Sequence, residues 1–111
     1  MATPAQLATK VAEHLGFISA GQTITSNDST IITEALTSLY LNLQRDHAVD
    51  WGPDEDIPDW AVLPMRDILS ARVAQEFGRK RDVIEETLAF KELKRGLAID
   101  DSGEPAKIQN F

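Results

Sequence analysis

The residues that come closest to a chemical site are the acids of one proline-marked stretch, residues 46–60, with the sequence DHAVDWGPDEDIPDW. Its acids after position 46 are Asp50, Asp54, Glu55, Asp56 and Asp59. Converging carboxylates can bind calcium or magnesium. An EF-hand loop, however, needs acids at alternating positions around a central glycine, and Gly52 precedes this cluster. We therefore interpret the stretch as a solvated loop between two helices, or as an acidic surface that faces DNA or a basic partner.

Residue types that carry out catalysis are sparse in the rest of the chain. The two histidines, His14 and His47, stand in no metal-ligand spacing such as HExxH. The absence of cysteine excludes disulfides and thiolate metal sites. No GxSxG nucleophile motif occurs, and nothing singles out two of the many acids as a catalytic pair. We expect no catalytic residue, no metal site and no cofactor, and we expect that the chain is not an enzyme.

The one basic run is Arg79-Lys80-Arg81. It could contact DNA phosphates or an acidic partner, although cations that follow a helix are also stabilised by the helix dipole. The net charge of −7 argues against a protein that holds nucleic acid by its phosphates, since such binding needs clustered basic residues. The same charge is compatible with a conduit that DNA passes without adhering.

Amphipathic periodicity predicts the elements that must position these residues. Thr3, Pro4 and Gln6 have the spacing of a helix start, and Gly16 is a natural stop. A second helix is expected to begin near residues 26–28 and to end near residue 44 or 45. Its predicted buried face is Ile32, Leu36, Leu39 and Leu43.

The second half of the chain predicts two more helices. Pro58 and Pro64 are alternative starts for the third, which is apolar on several sides and ends at Gly78. Asp82 caps the fourth, which is expected to run to about Gly96. Its predicted apolar face is Ile84, Leu88, Phe90, Leu93 and Leu97. The 111 residues therefore predict one all-α domain, a compact bundle of about four helices.

Two further features leave alternatives open. Trp51 and Trp60 flank the acidic stretch and could serve core packing or an interface. Residues 97–111 follow the predicted bundle of residues 1–96 and contain turn formers and acids before Ile108 and Phe111. We interpret this segment either as an arm that becomes ordered on docking or as a disordered terminus with two stray apolar residues. No secretion signal or membrane-length apolar run is found in the sequence.

Several short motifs occur together in an order that resembles a known family. They are Leu15-Gly16, Ala20-Gly21, Ile57-Pro58 and Phe77-Gly78, within the stretches HLGFISAGQTITSND and IPDWAVLPMRDILSARVAQEFG. Over about residues 5–95 the chain resembles helical head–tail connector proteins of tailed bacteriophages and gene transfer agents. More narrowly, it is similar to the tail accessory, or DNA-stabilisation, adaptors of short-tailed phages. The segment after the bundle is shorter than in those adaptors, which fits a long-tailed phage or gene transfer agent equally well.

The resemblance implies a structural adaptor that forms a ring, expected to be twelve-fold, beneath the portal protein. Such a ring extends the DNA channel without specific DNA binding and receives the next tail component. The C-terminal arm would dock on the portal, with Leu97, Ile99, Pro105, Ile108 and Phe111 as contacts. The expected location is the neck of a virion or phage-like particle, after synthesis in the bacterial cytoplasm. The alternative is a small helical regulatory or interaction protein of bacterial origin.

Overall fold

The computed structural model describes residues 2–19, 21–46, 49, 51–52 and 54–101. Four α-helices follow one another, α1 (Pro4–Leu15), α2 (Ser26–Asp46), α3 (Asp59–Val73) and α4 (Val83–Asp101), with a 3-10 turn (Ala74–Phe77) after α3. The predicted all-α bundle is confirmed. No helix within the described ranges combines the length and the apolar character that crossing a bilayer requires.

Local capping signals fix both ends of α1. The Thr3 hydroxyl accepts a hydrogen bond from the Gln6 amide, and the Gln6 side chain accepts one from the Thr3 amide. Gly16 closes the helix in the left-handed conformation at a φ of 83°, which costs a glycine little. The Thr25 hydroxyl accepts a hydrogen bond from the Asp28 amide and so caps α2. The cap lies one residue earlier than predicted, because Ser26 is already helical.

The third helix begins after Pro58, which settles the choice between the two prolines. Pro64 lies inside α3 and is buried. A proline at this depth donates no backbone hydrogen bond, so packing rather than helix propensity holds the turn around it. The helix packs against α1, α2 and α4, as its apolar circumference predicts. Its fully buried side chains include Met65, Ile68 and Leu69.

One hydrophobic core joins the four helices. α2 contributes its predicted face, with Ile32, Leu36, Leu39 and Leu43 all buried. Ala2 pairs with Ile57 in an isolated antiparallel bridge, with N···O distances of 3.1 and 2.7 Å, which ties the N-terminal segment to the loop before α3. Trp51 is buried in the core and meets Trp60 edge to face at 6.0 Å between ring centroids. The two tryptophans therefore serve packing within the chain.

The fourth helix is longer than the sequence indicated. It continues past Gly96, near which its end was predicted, to Asp101. Gly96 does not end the helix. It lies where α4 approaches the Trp60 ring so closely that a Cβ atom at this position would overlap the ring. Glycine is needed here for the space it leaves, and its φ is not positive.

Gly96→Ala is expected to lower the free energy of unfolding by about 1–3 kcal/mol, because overpacking outweighs the better helix propensity of alanine. Urea denaturation measures this change. The companion variant Trp60→Phe/Gly96→Ala provides the control, since a smaller ring leaves room for the methyl group. The cost of adding the methyl should be smaller in the Trp60→Phe background. Equal costs in both backgrounds would contradict the assigned contact.

Candidate functional site

The basic run lies in the connection between α3 and α4, and two of its three side chains have partners inside the chain. The Arg79 Nε group donates to the Leu15 carbonyl oxygen at 2.8 Å, at the C-terminus of α1. Its Nη1 atom lies 3.4 Å from the Phe77 carbonyl oxygen. Carbonyls at a helix end lack helical partners and attract a cation. Arg79 thus ties the end of α1 to the connection.

Arg81 forms a two-pronged ion pair with Glu86 in the first turn of α4. Its Nε and Nη2 atoms donate to the two carboxylate oxygens, each at 2.8 Å. Arg72 from α3 approaches the same carboxylate at 3.7 Å. Glu86 is nearly buried, so its charge needs such partners. Lys80 is exposed and, among the described residues, has no hydrogen-bond or ion-pair partner. Arg79 and Arg81 are exposed as well, but Lys80 is the member of the run whose charge is not engaged within the described part of the chain.

The predicted portal-binding residues fall in different places. Leu97 is fully buried in the core, where it cannot touch a partner unless α4 opens, and we withdraw it from the contact set. Ile99 lies within α4. Pro105, Ile108 and Phe111 lie outside the described residues.

An apolar surface covers the first half of α4 on its outer side. Val83, Ile84 and Leu88 are 60%, 75% and 62% exposed. Ile84 and Leu88 are one turn apart and point away from Ala89 and Leu93, which face the core. The prediction that Ile84 and Leu88 belong to the buried face is wrong. We call Val83, Ile84 and Leu88 the outer face of α4.

Two other large apolar side chains are exposed on different helices. Leu41 on α2 and Leu63 on α3 are each 57% exposed. Both lie on the side of their helix opposite the core, since Leu39 and Leu43 on α2 and Met65 on α3 are buried. Apolar surface is therefore exposed on three of the four helices.

The histidine of α1 meets acids from two other helices. His14 Nε2 lies 3.2 Å from Glu85 Oε1 of α4 and 3.8 Å from Asp67 Oδ1 of α3. Residues separated so widely along the chain carry no recognisable spacing, so no sequence pattern predicts this grouping. In the described part of the acidic stretch, Asp54, Glu55 and Asp56 are exposed. No three acids of that part converge as possible metal ligands.

The cleft beside His14 has a volume of about 280 Å³ and is open to solvent. It is also lined by Ser70, but the Ser70 hydroxyl donates to the Arg66 carbonyl oxygen at 2.7 Å, within its own helix. This geometry does not form a nucleophile and base pair with His14. Comparisons with family models, curated proteins and solved structures find no match to this chain.

Proposed function

We propose that this chain is a non-enzymatic structural adaptor that assembles as a ring on the portal of a phage or phage-like particle. The outer face of α4 carries the proposal. Three large apolar side chains, Val83, Ile84 and Leu88, are exposed within six residues of one another. Exposed apolar side chains that lie close together on a small domain are typical of a contact with another protein. The resemblance to head–tail connectors supplies the kind of assembly.

A closed ring requires two different surfaces on each copy, because each subunit contacts its neighbours head to tail. The outer face of α4 is one such surface. Leu41 on α2 and Leu63 on α3 supply exposed apolar side chains that lie off α4. We propose that the outer face of α4 packs against the α2 and α3 side of the next copy. Leu88 would be near the centre of that contact.

The charge of the chain supports a conduit for DNA. The net charge is −7, and Arg79 and Arg81 are engaged with Leu15 and Glu86. A channel wall with a net negative charge and few free cations repels DNA phosphates, so DNA would pass without specific binding. The ring would extend the portal channel in the particle neck and receive the next tail component. The proposed site of synthesis is the bacterial cytoplasm.

The segment after α4 is proposed to bind the portal protein. Residues 102–111 carry Pro105, Ile108 and Phe111 beyond a polar run. Short segments of this composition can order on a partner and add apolar anchors. In this proposal Leu97 belongs to the bundle, and the arm begins after Asp101 rather than at Leu97.

The runner-up is a small regulatory or interaction protein of a bacterial host. The same outer face favours it, since two copies could pair α4 against α4 in a dimer. Oligomeric state distinguishes the two functions. A regulator of this kind is expected to form a small defined oligomer alone, whereas an adaptor stays monomeric until the portal is present.

Sedimentation velocity of this chain mixed with a portal protein from the same genome tests the proposal. The full chain is expected to sediment as a monomer alone and to move with the portal when the two are mixed. A chain that ends at Asp101 keeps all of α4 and serves as the matched variant. It should fold with the same helix content by circular dichroism but bind the portal at least about tenfold more weakly. A stable dimer that does not bind the portal would favour the regulatory function.

A further inference from the structure

Three side chains of metal-ligand type converge where α1, α3 and α4 meet. They are the His14 imidazole, the Asp67 carboxylate and the Glu85 carboxylate, and one ligand atom of each lies within 4.8 Å of the others. All three are partly shielded, with side chains 28%, 23% and 34% exposed. Each comes from a different helix, so only the packed bundle brings them together.

Two of the three separations, those from His14 to each acid, are close to the spacing of ligands around a single small cation. Zinc binds nitrogen and carboxylate oxygen at about 2.0–2.1 Å, which places neighbouring ligand atoms of a tetrahedral site about 3.3 Å apart. The His14 Nε2 to Glu85 Oε1 distance is 3.2 Å. The 3.8 Å distance from His14 Nε2 to Asp67 Oδ1 requires only a small side-chain rotation to match.

The surroundings of the cluster hold one ligand in place. Arg66 donates to Asp67 Oδ1 from Nε at 2.9 Å and from Nη2 at 2.7 Å. Hydrogen bonds of this kind orient the carboxylates that bind metals. The Arg66 charge offsets one of the two carboxylates, and a second negative charge remains beside a histidine. Arg79 and Lys80 line the same cleft, but the Arg79 guanidinium group is engaged with the Leu15 carbonyl.

We propose that His14, Asp67 and Glu85 bind one divalent cation of the zinc class and that this cation ties α1, α3 and α4 together. The donor set selects the class of ion. Imidazole nitrogen suits zinc and its transition-metal neighbours, whereas calcium takes six to eight oxygen ligands and magnesium keeps an octahedral oxygen shell. Water would complete the coordination from the open cleft. The site departs from the expectation, drawn from spacing alone, that the chain has no metal site.

A metal-free ion-pair cluster of His14 with the two acids is the competing arrangement, and metal titration separates the two. The full chain, freed of metal with a chelator, is titrated with zinc chloride by calorimetry and its thermal unfolding is followed. One zinc per chain is expected. At a hundredfold excess of free zinc over its dissociation constant, Tm should rise by roughly 10 °C. Magnesium at the same concentration should leave Tm unchanged, and cobalt should give the visible absorption of a four-coordinate site.

Single substitutions locate the binding. His14→Gln and Glu85→Gln should each weaken zinc binding at least about tenfold and remove most of the Tm shift. His47→Gln and Glu13→Gln change the same residue types at positions that are not among the three proposed ligands, and these variants should bind zinc as the unsubstituted chain does. Circular dichroism without metal checks that each variant is folded. The proposal is overturned if the unsubstituted chain binds no zinc, if magnesium gives the same shift, or if His14→Gln retains full affinity.

Discussion

Leu97→Ala is expected to lower the free energy of unfolding by about 2–5 kcal/mol, the range found for large-to-small substitutions in protein cores. Leu97 is fully buried, in the same cluster as Leu93. The loss combines the transfer of apolar side-chain atoms with the cavity that alanine leaves behind. Urea unfolding followed by circular dichroism measures the change.

The same helix offers a matched control for this substitution. Leu88 carries the same side chain nine positions earlier, but it is 62% exposed. Leu88→Ala should therefore change the free energy of unfolding by no more than about 0.5 kcal/mol. If Leu97→Ala were equally mild, Leu97 would belong to a mobile arm, and the bundle would end at the predicted residue 96.

Leu88→Glu is expected to weaken ring assembly on the portal by at least about tenfold while leaving the isolated chain folded. Burying an unpaired carboxylate in an apolar contact costs several times the 1.4 kcal/mol that corresponds to a tenfold change. Glutamate is a good helix former, and attraction to Lys91 offsets part of the repulsion from Glu85 and Glu92, so the helix should tolerate the change. The number of copies bound per portal, measured by mass photometry, reports the effect.

Charge alone must be separated from the loss of the contact. Gln75→Glu adds the same single negative charge at an exposed position of the 3-10 turn, outside the outer face of α4. It should assemble on the portal as the unsubstituted chain does. If Gln75→Glu and Leu88→Glu weaken assembly equally, general repulsion explains the result, and the outer face of α4 is not the contact between copies.

Local signals account for the parts of the fold that could be predicted from sequence. The Thr3 and Gln6 pair satisfies backbone groups within one helical turn, and the glycines at positions 16 and 78 adopt the left-handed conformation that ends a helix. The buried side of α2 could also be predicted, because its apolar residues recur at helical spacing and form one face toward the core.

The features that could not be predicted from sequence depend on how the helices pack against one another. Gly96 was predicted to end a helix because glycine is common at helix ends. Its actual role is to leave room for the ring of Trp60, which is 36 positions away in the sequence. Ile84 and Leu88 are as apolar as Leu93, and periodicity does not tell which side of α4 another helix will cover. The grouping of His14 with Asp67 and Glu85 depends on how three helices are placed.

The most direct test of the adaptor proposal is the number of copies of the full chain that bind one portal assembly, measured by mass photometry of the mixture and of each component alone. The proposal predicts a monomeric chain alone and a closed complex with the portal, in which the number of added copies matches the portal's own symmetry. A chain that forms a defined oligomer alone, or that leaves the mass of the portal unchanged, would contradict it.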